Sequence, residues 1–175
     1  MRVLTLCGSL RARSSNQAAL LAYARVAPDM AFTHYGRLGA LPHFSPDLDQ
    51  DGVPLPAEVA ALRAAVAQAD ALVISTPEYV HALPGSFKNA LDWLVSDPTF
   101  TGKPVAILHI ARGSTWALDS LCEVLRTMSA EIIEDASVLL PLGSNRLAEA
   151  DILARADLRA LLAQSAAALR AKGLS

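Results

Sequence analysis

Cysteine is nearly missing from this sequence: Cys7 and Cys122 are the only two in 175 residues. A disulfide framework is not expected, and two buried free thiols in a reducing compartment are the reading. No apolar run approaches the ~20 residues that span a bilayer. The opening stretch MRVLTLCG lacks the charged, apolar and small-residue order of a signal peptide and reads as a strand. A cytoplasmic setting away from membranes is therefore expected. Neither sign of charge is in excess: 15 Lys and Arg stand against 17 Asp and Glu, a net charge of −2. The basic residues are scattered, so no nucleic-acid or membrane surface is indicated. With 53% hydrophobic and 18% charged residues, disorder is excluded too.

Several chemical signatures are also absent. There is no Gly-Lys-Ser/Thr of a Walker A loop, no Gly-x-Gly-x-x-Gly, no Gly-x-Ser-x-Gly elbow and no His-x-x-x-His. The four histidines (34, 43, 81 and 109) show no metal-ligand spacing. Asp47, Asp49, Asp51, Gly52 and Glu58 do fit the calcium-loop pattern. Pro46, Pro54 and Pro56 interrupt it, and no helix leads in, so a solvated acidic loop is the expectation.

What is present is alternation. RVLTLC (2–7), MAFTHY (30–35), DALVIST (70–76), KPVAILHI (103–110) and ASVLLP (136–141) read as strands. Helices are expected over 15–27, from Pro56, from Pro84, along the Leu118–Met128 stripe and over about 147–171. DALVIST is a short run with an apolar centre, as in a strand buried on both faces. Five strands and five helices in alternation predict an α/β doubly wound parallel sheet, one domain over 1–175.

Such sheets bind ligands beyond the carboxyl ends of their strands. The loops there are GSLRARSSN, TPEYVHALPG and IARGSTW. The first meets a helix N-terminus, where free N–H groups and the dipole attract anions. Ser9, Ser14 and Ser15 add hydroxyls, Asn16 an amide and Arg11 a planar fork suited to phosphate. Composition alone leaves a second reading open: simple capping by Ser14 or Ser15, with Arg11 and Arg13 solvated. In the second loop Pro77 and Pro84 stiffen both ends, and Glu78, Tyr79, Val80 and His81 lie between. A rigid loop with an aromatic ring beside exposed backbone suits a flat heterocycle.

GSLRARSSN, followed some sixty residues later by TPEY…PGSFKNALDW and then GKPV at 102–105, resembles the NAD(P)H-dependent FMN reductase family, which includes bacterial quinone and chromate reductases. The likeness runs over about residues 1–135. It implies a flavodoxin-like sheet in the order 2-1-3-4-5 with bound FMN. By the same resemblance Ser9, Arg11, Ser14 and Asn16 match the phosphate residues, and Pro77, Glu78 and Tyr79 the loop along the isoalloxazine ring. Lys88, Asn89, Asp92 and Trp93 match a following helix, with a structural role. The chain departs from the family pattern where Asn and Ser become Val80 and Ala82, and in the loop after the fourth strand. There Gly113 remains, Trp116 is new, and Arg112 either faces the flavin or is solvated.

The resemblance implies an oxidoreductase that takes hydride from NADPH or NADH onto FMN and reduces quinones or similar acceptors. One loop set surrounds the ring and no separate dinucleotide fingerprint exists, so ping-pong turnover is expected. A flavodoxin-type electron carrier, or a reductase that uses flavin as a substrate, are the alternatives; the near-neutral charge favours an enzyme. No acid–base side chain is required for hydride transfer to the flavin. Trp93, Leu94 and Val95 are expected to leave an apolar patch that a second copy covers, giving a homodimer or homotetramer.

Overall fold

The computed structural model describes residues 1–110, 113–144 and 146–173. The chain forms β1 (Arg2–Cys7), α1 (Ser15–Val26), β2 (Ala31–Tyr35), α2 (Ala57–Gln68), β3 (Ala71–Ser75) and α3 (Gly85–Asp92). Then come β4 (Pro104–Ile110), α4 (Trp116–Thr127), β5 (Glu131–Ile132), β6 (Val138–Leu140), α5 (Glu149–Ala154) and α6 (Ala156–Lys172). The strands pair in parallel in the order β2-β1-β3-β4-β5, with β6 also on β4. The expected α/β sheet and its strand order are therefore present.

Residue alternation along the strands builds two cores. Leu4, Leu6, Leu72 and Ile74 face one side, packed under α2, α3 and α4 with Phe87, Trp93 and Leu121. Val3, Ala71 and Val73 face the other, under α1, α5 and α6 with Leu20, Tyr23 and Leu162. On that second side the Ser165 hydroxyl links the Tyr23 hydroxyl to the Ala136 carbonyl. Burial pushes the Tyr23 phenol up to about 12. The chain leaves β1 toward β2 on one side and reaches β3 on the other. The loops after β1 and β3 therefore part and open a crevice at their carboxyl ends.

Three expectations are corrected. The strand expected over 136–141 is present as β6, but a further short strand, β5, precedes it, so the sheet has six strands and not five. β5 pairs with Pro104 and Val105, β6 pairs with Leu108–Ile110, and a 3-10 turn at Glu134–Ala136 separates them. Ser137 bridges the gap: its hydroxyl accepts from the Ile107 N–H at 3.1 Å and donates to the Ile133 carbonyl at 3.0 Å.

The last helix is likewise two, broken at Arg155, whose φ of −88° and ψ of 114° are extended. Ile152 and Leu158 are both fully buried in the same core. In one continuous helix residues six apart point about 120° from each other. The break returns both to the sheet, and Arg155 reaches the Pro141 carbonyl and Asp157.

Nor do Trp93, Leu94 and Val95 form an exposed patch. α3 ends at Asp92, and the turn that follows buries Trp93 and Leu94, leaving only Val95 outside. Trp93 Nε1 and Asn89 Nδ2 both donate to the Pro42 carbonyl, at 2.8 and 3.0 Å, while Asn89 Oδ1 accepts from Phe44 N–H. These residues pin the Pro-rich segment 36–56, the structural role expected of them. In the acidic loop the Asp49 carboxylate is held by Arg63 at 2.9 Å and by the Ser96 hydroxyl.

Both cysteines are free; Cys7 is buried and Cys122 only half-buried. Among the described residues, no helix is long and apolar enough to cross a membrane.

Candidate functional site

The β1–α1 loop starts from a constraint on Gly8. Its N–H donates to the Ser75 carbonyl at 2.9 Å, so β1 and β3 stay paired to their ends. A Cβ on Gly8 would stand 2.1 Å from Thr76 Oγ1. Only glycine lets the two loops leave the sheet this close together.

The chain then swings through Ser9 and Arg11 to α1. Ser14 is the N-cap, with extended φ and ψ of −126° and 128°, but its side chain makes no capping bond. The first helical bond runs from Ala18 N–H to Ser14 O. The N–H groups of the turn before it are the unsatisfied donors of any helix start. No acidic residue occupies this first turn. The Arg11 guanidinium is exposed and forms no ion pair among the described residues.

Ser15 and Asn16 are placed differently from Ser9, Arg11 and Ser14. All five border the same cleft. However, the Ser15 hydroxyl donates to the Ser144 carbonyl at 3.1 Å and accepts from Leu147 N–H at 3.0 Å. Asn16 Oδ1 accepts from the buried Ser75 hydroxyl at 2.8 Å. Their side-chain oxygens thus brace the loop and the segment after β6. Cys7 adds another brace, its thiol donating to the Ser9 carbonyl at 3.6 Å. Burial pushes that thiol's pKa up.

The opposite wall comes from the loop after β3. Pro77 and Tyr79 line the cleft. Tyr79 and Ala82 exchange two backbone hydrogen bonds of 3.0 Å, closing a two-residue hairpin turn. Its central residues, Val80 and His81, have φ of 50° and 59°. Turns of this hand favour Asn-Gly, and a β-branched residue there is strained. Val80 is 95% exposed: it lies at the tip, outside the lining.

Glu78 also borders the cleft, and both of its carboxylate oxygens are engaged. One carboxylate oxygen accepts from the Ser114 hydroxyl, the other from Ala117 N–H at 3.0 Å. The Ala117 N–H first, then Ser114, hold this carboxyl below the usual carboxylate range. Glu78 is a clamp between the β3 loop and the start of α4.

The loop after β4 is only partly described. Arg112 lies outside the described residues. Gly113 is exposed with φ of 91°, a left-handed turn that suits glycine.

Sequence reasoning missed Thr76, His109, Ile110, Ser114 and Ala117, which also border the cleft. His109 and Ile110 end β4, so the rule that sites gather at carboxyl ends of strands could have found them. Ser114 and Ala117 carry no local signal; only the Glu78 contact places them. Burial pushes the His109 imidazole below its ordinary value, against the pull of Glu78, Asp119 and the Ser114 carbonyl.

Together these walls line an open cleft with a cavity volume of about 180 Å³. One end offers hydroxyls, a free guanidinium and helix N–H groups, a donor set suited to a phosphate. The other offers Pro77, Tyr79, Ile110 and Ala117, a lining suited to a flat heterocycle. A flavin mononucleotide has those two parts, so the residues present fit it.

Comparison with known proteins agrees with this geometry. The family model described as NADPH-dependent FMN reductase matches residues 1–145. A quinone reductase of Escherichia coli is 39% identical over 116 residues, covering 65% of this chain and 61% of that protein. A 2-hydroxy-1,4-benzoquinone reductase of a Burkholderia species is 37% identical over 118 residues, covering 65% and 62%. Less than two thirds of each relative's length is thus matched. In structure, a flavoenzyme NAD(P)H:(acceptor) oxidoreductase from Paracoccus denitrificans superposes with a TM-score of 0.72, covering 97% of each chain at 23% identity. That likeness is one of fold.

Proposed function

The chain belongs to the NADPH-dependent FMN reductase family, and from that premise we propose that it is an FMN-dependent oxidoreductase taking hydride from NADPH or NADH and reducing quinones or similar small acceptors. The observation that carries this reading is the two-part cleft, anion-ready at α1 and apolar between Tyr79 and Ala117. When bound, FMN supplies the site that accepts hydride and passes electrons on. Arg11, Ser9, Ser14 and the first-turn N–H groups of α1 hold the phosphate end. Ser15 and Asn16 keep those groups in place through Ser144, Leu147 and Ser75. Pro77, Tyr79 and Ile110 exclude water from the ring end, and the Glu78 clamp fixes its width.

One cleft serves both substrates in this reading, so nicotinamide leaves before the acceptor arrives. Double-reciprocal plots at several quinone concentrations should be parallel. The direct test is the visible spectrum of the purified protein before and after NADPH under argon. A yellow protein bleached by NADPH and recoloured by quinone supports the reading. A bound flavin that only a protein partner reoxidises would make it an electron carrier. A colourless protein that reduces added FMN would make flavin a substrate.

The cytoplasmic setting belongs to the same proposal, supported by the free thiols of Cys7 and Cys122. So does a homodimer or homotetramer. Its support is no longer Trp93–Val95 but the exposed Leu10 and Val80 on the loops flanking the cleft. Light scattering at micromolar protein decides it.

A further inference from the structure

The His81 and Trp116 rings approach each other with centroids 5.9 Å apart and planes tilted by 45°, each on a segment that borders the cleft through Tyr79 and Ala117. Both are exposed, Trp116 at 59%. Neither position is accidental in its backbone. His81 sits in the strained turn with Val80, at φ of 59° and 50°, and neither residue gains burial there. Strain held without a packing reward concentrates at functional sites. Trp116 opens α4, one residue before the Ala117 N–H that Glu78 holds. One carboxylate therefore ties together the hairpin bearing His81 and the helix start bearing Trp116. The contact spans residues 35 positions apart in sequence, so no local propensity arranges it.

We propose that Trp116, positioned by His81 and the Glu78 clamp, is the specificity-determining wall on which the flat, electron-poor ring of the acceptor lies as it enters the cleft. This rests on the reductase reading above. An indole is electron-rich and exposes a broad face, and a quinone is planar and electron-poor, so offset stacking between them is favourable. With Trp116 59% exposed and the His81 ring tilted 45° to it, much of the indole remains uncovered. A small, non-planar acceptor such as ferricyanide gains nothing from that face. The wall therefore selects among acceptors by shape.

The test uses the FMN-loaded protein with a naphthoquinone and with ferricyanide. In Trp116→Ala the ratio of quinone KM to ferricyanide KM should rise roughly three- to tenfold, the scale of one aromatic contact. Trp116→Phe should restore most of it. A second readout needs no turnover. Trp93 is fully buried, so Trp116 is the tryptophan a stacked quinone reaches. Quinone added to the oxidised protein without nicotinamide should quench tryptophan emission saturably, and Trp116→Phe should lose the saturable part. An unchanged KM ratio in Trp116→Ala, or saturable quenching that survives in Trp116→Phe, overturns the wall. A wild-type protein that reduces neither acceptor overturns the reductase reading instead, and the quenching experiment still decides whether the wall binds quinone.

Discussion

The two ends of the cleft are built on opposite principles. At the α1 end the structural side chains are inside: Ser14, Ser15 and Asn16 are all buried, and Ser15 and Asn16 are hydrogen-bonded to distant segments. What the proposed reading sets against the phosphate there is backbone, hydroxyl and the Arg11 guanidinium, which forms no ion pair among the described residues. At the hairpin end the rings are outside, the backbone is strained at Val80 and His81, and one half-buried carboxylate sets the spacing. A phosphate is the same in every ligand of this kind, so its cradle can be rigid. In the proposed reading acceptors differ, and the end that would meet them is the end free to change without unfolding the core.

The sharpest way to break this contrast is Arg11→Ala. It should weaken FMN binding by roughly 1.5–3 kcal/mol, the usual worth of a charge-assisted hydrogen bond. Quenching of FMN fluorescence measures it, and equal dissociation constants would remove Arg11 from the phosphate end. Chemical denaturation of the apoprotein should barely change, since Arg11 is exposed and forms no ion pair among the described residues.

Ser15→Ala should do the reverse. It strips the partner from the Leu147 N–H and the donor from Ser144, and should cost about 1–3 kcal/mol of folding stability. Its effect on FMN affinity should be smaller than that of Arg11→Ala. The pair of variants separates a residue that binds from one that braces, though both stand in one motif.

At the other end, replacing Val80-His81 by Asn-Gly relieves the strained turn. Thermal unfolding should show a gain of up to about 1 kcal/mol, because these residues adopt positive φ freely. The same change should blunt discrimination between quinone and ferricyanide. A loss of stability would mean that the two side chains hold the hairpin.

The smallest effect concerns pH. The Glu78 carboxyl titrates below its ordinary value of 4.5, held down by Ala117 N–H and Ser114. Its contribution is therefore present above the ordinary carboxylate range and is lost as pH falls through the depressed value. Trp116 emission should shift in that acidic window in the wild type. Glu78→Gln, which carries no titrating charge, should not show the transition.

These outcomes bear on how much could be read in advance. The alternation of strands and helices and the loop before α1 were legible because their signals are local: β-branched runs, a glycine at a strand end, serines and an arginine before a helix; the strand order came with the family resemblance. The roles within that loop were not. Ser14 and Ser15 are adjacent and chemically identical and both border the cleft, yet only the fold ties the Ser15 hydroxyl to Ser144 and Leu147. The ring end was less legible still. Glu78 reads as a ligand by motif, but its partners Ser114 and Ala117 lie 36 and 39 residues away. The helix break at Arg155 went unseen for a related reason. Its cause is the shared core of Ile152 and Leu158, a tertiary demand that helical propensity does not contain.

The two short strands after α4 have a consequence for how molecules of this protein meet. A sheet edge invites another chain to pair with it when it presents a long row of unpaired backbone groups. Beyond β4 that row comes in lengths of two and three residues, β5 and β6, offset by the Glu134–Ala136 turn. A strand of another molecule laid along it would lose register after one or two bonds. The interruption that looks like a flaw in the sheet thus blunts this edge as a template for fibril growth at high protein concentration.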